Sequence, residues 1–246
     1  MTIAQWFRHR SVQPLHIAGD HGEGPVIILI HGIASSSVTF RFLEPLLVDR
    51  YRVITIDLLG FGESDAPATI DSLRLKAPFI LVGHSLGSLI SARYAAIFPA
   101  RVARVVLISP PVYLAPAELG NARTRSQVGA YLKAYEFIRA NKEFTIANAA
   151  RVGRLLGIAT VFEITERNWT AFILSLKNCI EAQTSISDIA SVKVSIDVVY
   201  GALDQFITPG TMRIIEQMRH VTMHRIEAAD HVVRKRLARA VAEVIA

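Results

Sequence analysis

Apolar residues fall along this chain in short blocks. Val26–Ile30, residues 52–57, 79–83, 105–109 and 196–200 and, less sharply, Val221–Ile226 are rich in Val and Ile, and each runs into Gly, Asp, Ser or Pro. A continuous apolar run of this length predicts a strand buried on both faces, as a parallel sheet requires. Between the blocks the spacing is helical. Leu86, Leu89, Ile90 and Ala92 share one stripe in residues 86–98, which stops before Pro99, a residue that cannot extend a helix. Residues 232–246 predict a closing helix. Strand alternating with helix predicts an α/β architecture: an open, mostly parallel sheet flanked by helices. Residues 5–18 are expected to add an antiparallel edge strand.

One segment breaks the alternation. Residues 111–190 show helical spacing alone, with Val128, Leu132, Tyr135 and Ile138 on one face and Trp169, Phe172, Ile173, Leu176 and Ile180 on another. The expected organisation is a core of residues 1–110 and 191–246 interrupted by a helical cap at 111–190. A cap inserted there sits over the carboxyl ends of the strands, where open α/β sheets bind ligands.

Composition narrows the class. The 246 residues, 51% hydrophobic and 20% charged, suit one globular domain with an insertion and exclude a disordered chain. Lys and Arg outnumber Asp and Glu by 27 to 21, a net +6. The densest basic clusters, Arg8-His9-Arg10 and Arg234-Lys235-Arg236, are too short for nucleic-acid arms and read as solvated charge, so no nucleic-acid partner is expected. Cys179 is the only cysteine, which excludes an intrachain disulfide and a cysteine zinc cluster and fits a cytoplasmic location. The apolar runs are strand-length, so no membrane span is expected, and residues 1–10 lack the apolar stretch of a signal peptide.

The strongest chemical signal is Gly83-His84-Ser85-Leu86-Gly87, a G-x-S-x-G element set between a predicted strand and a predicted helix. A sharp turn there lifts the serine hydroxyl clear of the backbone, and the flanking glycines avoid clashes. The helix start also offers free N–H groups and a positive dipole end to a developing oxyanion. A serine nucleophile needs a base, and the base an orienting acid. Asp204 follows the strand block 196–200, and His231 follows Val221–Ile226, so both are expected at the same sheet edge as Ser85. The chain order Ser85, Asp204, His231 matches the arrangement in which histidine takes the serine proton and aspartate fixes the imidazole tautomer. The backbone N–H groups of Leu86 and of Ile33, after the strand Val26–Ile30, are the candidate oxyanion donors.

With Ile30-His31-Gly32, residues 57–65 (DLLGFGESD), the serine turn, the Asp204 loop and Asp230-His231, the chain closely resembles the α/β-hydrolase superfamily, in its branch of small capped serine esterases and lipase-like enzymes. The resemblance implies an eight-stranded, mostly parallel sheet and a helical cap shaping an acyl or alcohol pocket. It also implies ester hydrolysis through an acyl-enzyme on a small-molecule substrate, with no cofactor and no metal. Carbon–carbon bond hydrolases and perhydrolases carry serine at the same position, whereas epoxide hydrolases and haloalkane dehalogenases carry aspartate. Two departures stand out. Ser88 takes a place where many relatives have glycine. The crossover from Asp65 to Pro78 leaves only residues 68–76 for a helix of several turns, about 13 Å of rise against roughly 17–20 Å for a strand; a trimmed helix, or residues missing from the sequence, would each give this spacing.

Other candidates have plainer readings. His31 is expected to hydrogen-bond the backbone of the oxyanion loop, and His84 to face the sheet–helix junction. Asp57 and Asp65 look like turn residues, Asp57 being the rival to Asp204, and Asp230 a cap for the last helix. His220 and His224 have a metal-like spacing but lie on a strand, too extended for one ion. Gly60 and Gly62 begin a dinucleotide fingerprint that Asp65 breaks. About half of Tyr131, Tyr135, Phe137, Phe144, Phe162, Trp169 and Phe172 are expected to pack rather than line a pocket. An acidic substrate would need a cation, for which Arg123, Arg125, Arg139 and Arg151 are available. The function expected is hydrolysis of a small or medium carboxylic ester. A carbon–carbon hydrolase or perhydrolase, or a binding protein with vestigial catalysis, are the alternatives; the oligomeric state is left open.

Overall fold

The computed structural model describes residues 16–62, 70–76, 78–114, 120–182 and 184–246. Seven strands form one sheet: β1 Ile17–His21, β2 Val26–Ile30, β3 Arg52–Ile56, β4 Phe79–His84, β5 Val102–Ile108, β6 Ile196–Gly201 and β7 Val221–Ile226. Their spatial order is β1-β3-β2-β4-β5-β6-β7. Only β1 runs antiparallel, against β3; the other neighbours are parallel. The described residues thus hold seven strands where the resemblance implies eight.

The continuous apolar runs have the cause inferred for them. Ile28, Ile30, Ile54, Ile56, Leu81, Leu107 and Val198 enter the core on one side of the sheet. Ile27, Leu29, Val53, Val82, Val106, Ile108 and Val199, one residue out of step, enter the core on the other. Side chains alternate along a strand, so a strand covered on both faces must be apolar at every position. The first face is packed by α1 (Leu86–Ile97), through Ala92 and Ala95, and by two helices from later in the chain.

Between β5 and β6 lie α2 (Ala122–Ala140), α3 (Lys142–Leu155), α4 (Trp169–Ser175), which runs on into a π-helical turn Leu176–Ile180, and α5 (Ser185–Ser191). The two predicted faces meet there: Val128, Phe172, Leu176 and Ile180 are buried together with Leu86, Leu89 and Tyr113, while Leu132, Tyr135 and Ile138 pack alongside. The last helix of the segment, α5, puts Ile189 into the first-face core. After β6 come α6 (Pro209–Glu216), whose Met212 and Ile215 complete that face, and α7 (Lys235–Ile245), which covers the second face through Leu237, Ala238, Val241 and Ile245.

Four expectations are corrected. The antiparallel edge is at Ile17–His21, mostly beyond residues 5–18, of which 5–15 lie outside the described residues. Of its five residues only Gly19 is buried, so apolar alternation could not locate it. Among its described residues the crossover from β3 to β4 carries one 3₁₀ turn, Ile70–Leu73, and no helix through 76, and Arg74 follows the turn at φ +48°; residues 63–69, including Asp65, and residue 77 lie outside the described residues. The closing helix starts at Lys235, not 232, because Val232 and Val233 are buried in separate apolar clusters ahead of it. Asp230 is therefore not its cap: its carboxylate accepts the Val232 N–H (3.2 Å) and the Arg234 guanidinium (3.1 Å).

Candidate active site

The serine stands on the turn from β4 to α1 with φ +52° and ψ −118°, a conformation a β-carbon disfavours. Its surroundings hold it there. The Ser85 N–H donates to the Ile108 carbonyl (2.9 Å), and the Ser88 N–H to the Ser85 carbonyl (2.9 Å). The Ser88 hydroxyl lies 2.7 Å from the Gly83 carbonyl and 3.0 Å from that of Ile108, so the residue that departs from the family pattern ties the turn to β5. The two motif glycines are steric necessities. A β-carbon at Gly83 would sit 2.2 Å from the Gly87 carbonyl oxygen, and one at Gly87 2.1 Å from that of Ile30.

The chain after β2 passes directly beside this turn: a β-carbon at Gly32 would lie 3.1 Å from Ser85 Cβ. His31, fully buried, fixes that loop as expected. Its Nδ1 bonds the Gly32 carbonyl (2.7 Å), and its Nε2 accepts the Leu58 N–H (2.9 Å). Burial keeps this imidazole neutral by lowering its pKa. Ile33 follows in the same loop and lines the cavity described below. Leu86 is the first residue of α1, so its N–H lies ahead of the helix's own i→i−4 bonds and faces the turn unclaimed by them.

Asp204 and His231 come from two loops after β6 and β7. The tip of β6 lets them close up, because a β-carbon at Gly201 would strike the Ala229 carbonyl at 2.2 Å. His231 Nδ1 lies 3.0 and 2.9 Å from the two Asp204 oxygens, both side chains being almost wholly buried. Burial alone would raise the Asp204 carboxyl. The adjacent His231 and the hydrogen bonds from its imidazole and from the Phe206 N–H (3.0 Å) outweigh burial and hold it below its usual value. Asp57, the rival acid, is engaged elsewhere: it accepts the Ser37 N–H (2.8 Å) and pairs with His16 (3.0 Å).

His84 departs from expectation. It lies two residues beyond Val82 on the same sheet face, so its ring reaches the His231 loop rather than the sheet–helix junction. Its Nε2–H donates to the His231 carbonyl (2.8 Å), and the two rings are 5.0 Å apart. Complete burial, aided by the neighbouring His231, pushes its pKa down to about 3. Phe206, which sequence reasoning missed, sets its ring edge-on to His231 at 4.6 Å. The signal was its place two residues after Asp204.

Ser85, His84, His231, Gly32 and Ile33 line one cavity of about 150 Å³. Its other walls are almost entirely apolar, and include Tyr135, Phe162 and Phe172 of the seven cap aromatics. Phe137 and Phe144 instead pack edge-on to each other near the surface, Trp169 lies against Phe172, and the Tyr131 hydroxyl donates to the Gln205 carbonyl. Burial pushes the Tyr135 hydroxyl up to about 12, so it enters the cavity as a neutral group. No Arg or Lys, among them Arg123, Arg125, Arg139 and Arg151, is a described lining residue; Arg139 pairs with Glu181. His220 and His224 serve different partners, the Ile189 carbonyl (2.9 Å) and Asp197 (2.8 Å). Asp197 also takes the Arg104 guanidinium at 2.7 Å, tying β5, β6 and β7 together.

Residues 25–233 match the alpha/beta hydrolase fold family. The chain belongs to that family. Within it, a stretch of 134 residues is 34% identical to the 2-(acetamidomethylene)succinate hydrolase of Mesorhizobium japonicum, covering 49% of this chain and 48% of that protein. A stretch of 101 residues is 38% identical to an uncharacterized protein of Mycobacterium tuberculosis, covering 36% of this chain and 30% of the other. This α/β-hydrolase thus matches less than half the length of these curated relatives. The solved structure of a thermophilic esterase from Thermogutta terrifontis superposes with a TM-score of 0.65 at 17% identity, over 92% of this chain and 90% of that one. Likeness at that identity shows the fold.

Proposed function

We propose that this α/β-hydrolase cleaves a neutral carboxylic ester of small to medium size through an acyl-enzyme. Ser85 Oγ attacks the ester carbonyl while His231 takes its proton, and the Ile33 and Leu86 N–H groups receive the oxyanion. Asp204 keeps the imidazole proton on Nδ1 and stabilises the imidazolium that forms. The proton then passes to the leaving alcohol. Water, deprotonated by the same imidazole, hydrolyses the acyl-enzyme and restores Ser85. Residues 111–190 act as the lid that keeps bulk water from the apolar cavity. The observation that carries this reading is the buried His231–Asp204 pair beside the strained Ser85 turn, with serine and histidine lining one cavity.

The neutral substrate follows from the walls. The Mesorhizobium relative acts, by its name, on a succinate. Binding a carboxylate away from water requires a cationic or hydrogen-bonding partner, and no cation is a described residue of this lining. A cavity near 150 Å³ holds a group about the size of benzene, which favours short acyl chains. The test is hydrolysis of p-nitrophenyl esters from acetate to decanoate and of a p-nitrophenyl hemisuccinate, with a folded Ser85→Ala protein beside the wild type. Turnover is expected to favour acetate to hexanoate, to fall toward decanoate and hemisuccinate, and to vanish in Ser85→Ala. Turnover surviving in Ser85→Ala would remove the nucleophile from the account, and a preference for hemisuccinate would overturn the neutral substrate.

A further inference from the structure

Two lining residues of the cavity, Val152 and Leu156, are also exposed, so they mark its mouth. Beside them Leu155 is 80% exposed and Leu203 67%, far more than large apolar side chains usually are. These leucines do not sit on a loose loop. The end of α3 is closed by a double hydrogen bond, Gly157 N–H to Arg154 carbonyl (3.1 Å) and Ile158 N–H to Gly153 carbonyl (2.9 Å), around Gly157 at φ +68°. Gln205, two residues from Leu203, donates to the Leu156 carbonyl (3.1 Å) and joins the two apolar points.

The same rim is basic. Arg234 reaches across to the Gly157 carbonyl (2.8 Å). Arg234, Lys235, Arg236 and Arg41 line one open groove with Leu203, and Arg151 and Arg154 are exposed on α3 beside Leu155. Asp230, which pairs with Arg234, is the one carboxylate among the described residues of that groove. Lys235 and Arg236 open α7, where the helix dipole disfavours cations, so they do not serve that helix.

We propose that this rim docks on an anionic lipid surface, Leu155 and Leu203 entering the acyl boundary while Lys235, Arg236, Arg151 and Arg154 lie among the headgroup anions. Exposed leucines set between cations fit a lipid interface; a polyanion such as nucleic acid would meet the cations and leave the leucines in water. Docking turns the cavity mouth toward the layer where apolar esters concentrate. Only that last point rests on the ester-hydrolase reading; the docking does not.

The test is co-sedimentation of the full chain with phosphatidylcholine vesicles and with vesicles containing phosphatidylglycerol. Binding is expected to the anionic vesicles and to weaken as salt rises. Lys235→Gln with Arg236→Gln, and separately Leu155→Ser with Leu203→Ser, should each weaken it on the order of tenfold. All four positions lie outside the cavity lining, so turnover of a soluble p-nitrophenyl ester should stay at the wild-type level and report that the site is intact. Equal partitioning onto both vesicle types, or binding unchanged in both variants, would overturn the proposal whatever the esterase assay shows.

Discussion

At the scale of single residues, the site depends on which groups keep their charge. The Asp204 carboxyl is held below its usual value, which favours its charged form, and it presents two acceptors to His231 Nδ1. Replacing it with asparagine puts an N–H₂ donor at one of those places and favours the tautomer with the proton on the wrong nitrogen. Asp204→Asn is therefore expected to lower kcat on the order of 10⁴-fold, measured with p-nitrophenyl butyrate. A loss under tenfold would move the acid elsewhere. Much of this was legible because residue type and strand-end position are both in the sequence. Chain order already favoured Asp204 over Asp57, which precedes Ser85; what the sequence could not show is that packing gives Asp57 to Ser37 and His16. The edge of Phe206 on His231 likewise comes from folding two loops together.

At the scale of elements, His84 joins the end of β4 to the His231 loop, and this joint has a pH signature. Its pKa is about 3 in the fold against 6.5 as the reference. Between those values the unfolded chain binds the proton and the native one does not. The neutral joint is thus fully stabilising above 6.5 and loses its contribution as pH falls toward 3, by about 1.4 kcal/mol per pH unit at most. Urea midpoints for wild type and His84→Gln should converge on acidification through that window, the variant having the flatter profile. Parallel midpoints at every pH would place the acid sensitivity in another group. The strands were legible for a physical reason, since both faces are buried and polarity is excluded throughout. The weak β1 edge and the 3₁₀ crossover turn left no period to read, and the π-helical turn at Leu176–Ile180 lies inside a helical period that does not distinguish it from an ordinary turn.

At the scale of the whole molecule, one sheet edge receives every element of the site. The turn after β4, the loop after β2 and the loops after β6 and β7 all open there, under the helical insertion. That convergence follows from a parallel sheet and was readable from the strand–helix alternation. The surface was less readable. Arg234-Lys235-Arg236 in isolation resembles ordinary solvated charge, and only the folded chain puts it beside Leu155, Leu156 and Leu203. Among the described residues no helix is long and apolar enough to cross a membrane.

A nucleophilic Ser85 driven by His231 can be trapped. The folded protein is incubated with p-nitrophenyl diethyl phosphate, an uncharged ester whose phosphoryl group stays on an attacking serine. The expected result is release of about one equivalent of p-nitrophenolate and, by mass spectrometry, a single diethylphosphoryl group on the peptide containing Ser85, with Ser85→Ala unmodified. An unmodified Ser85 in the folded wild type, or a label on a different residue, would contradict it.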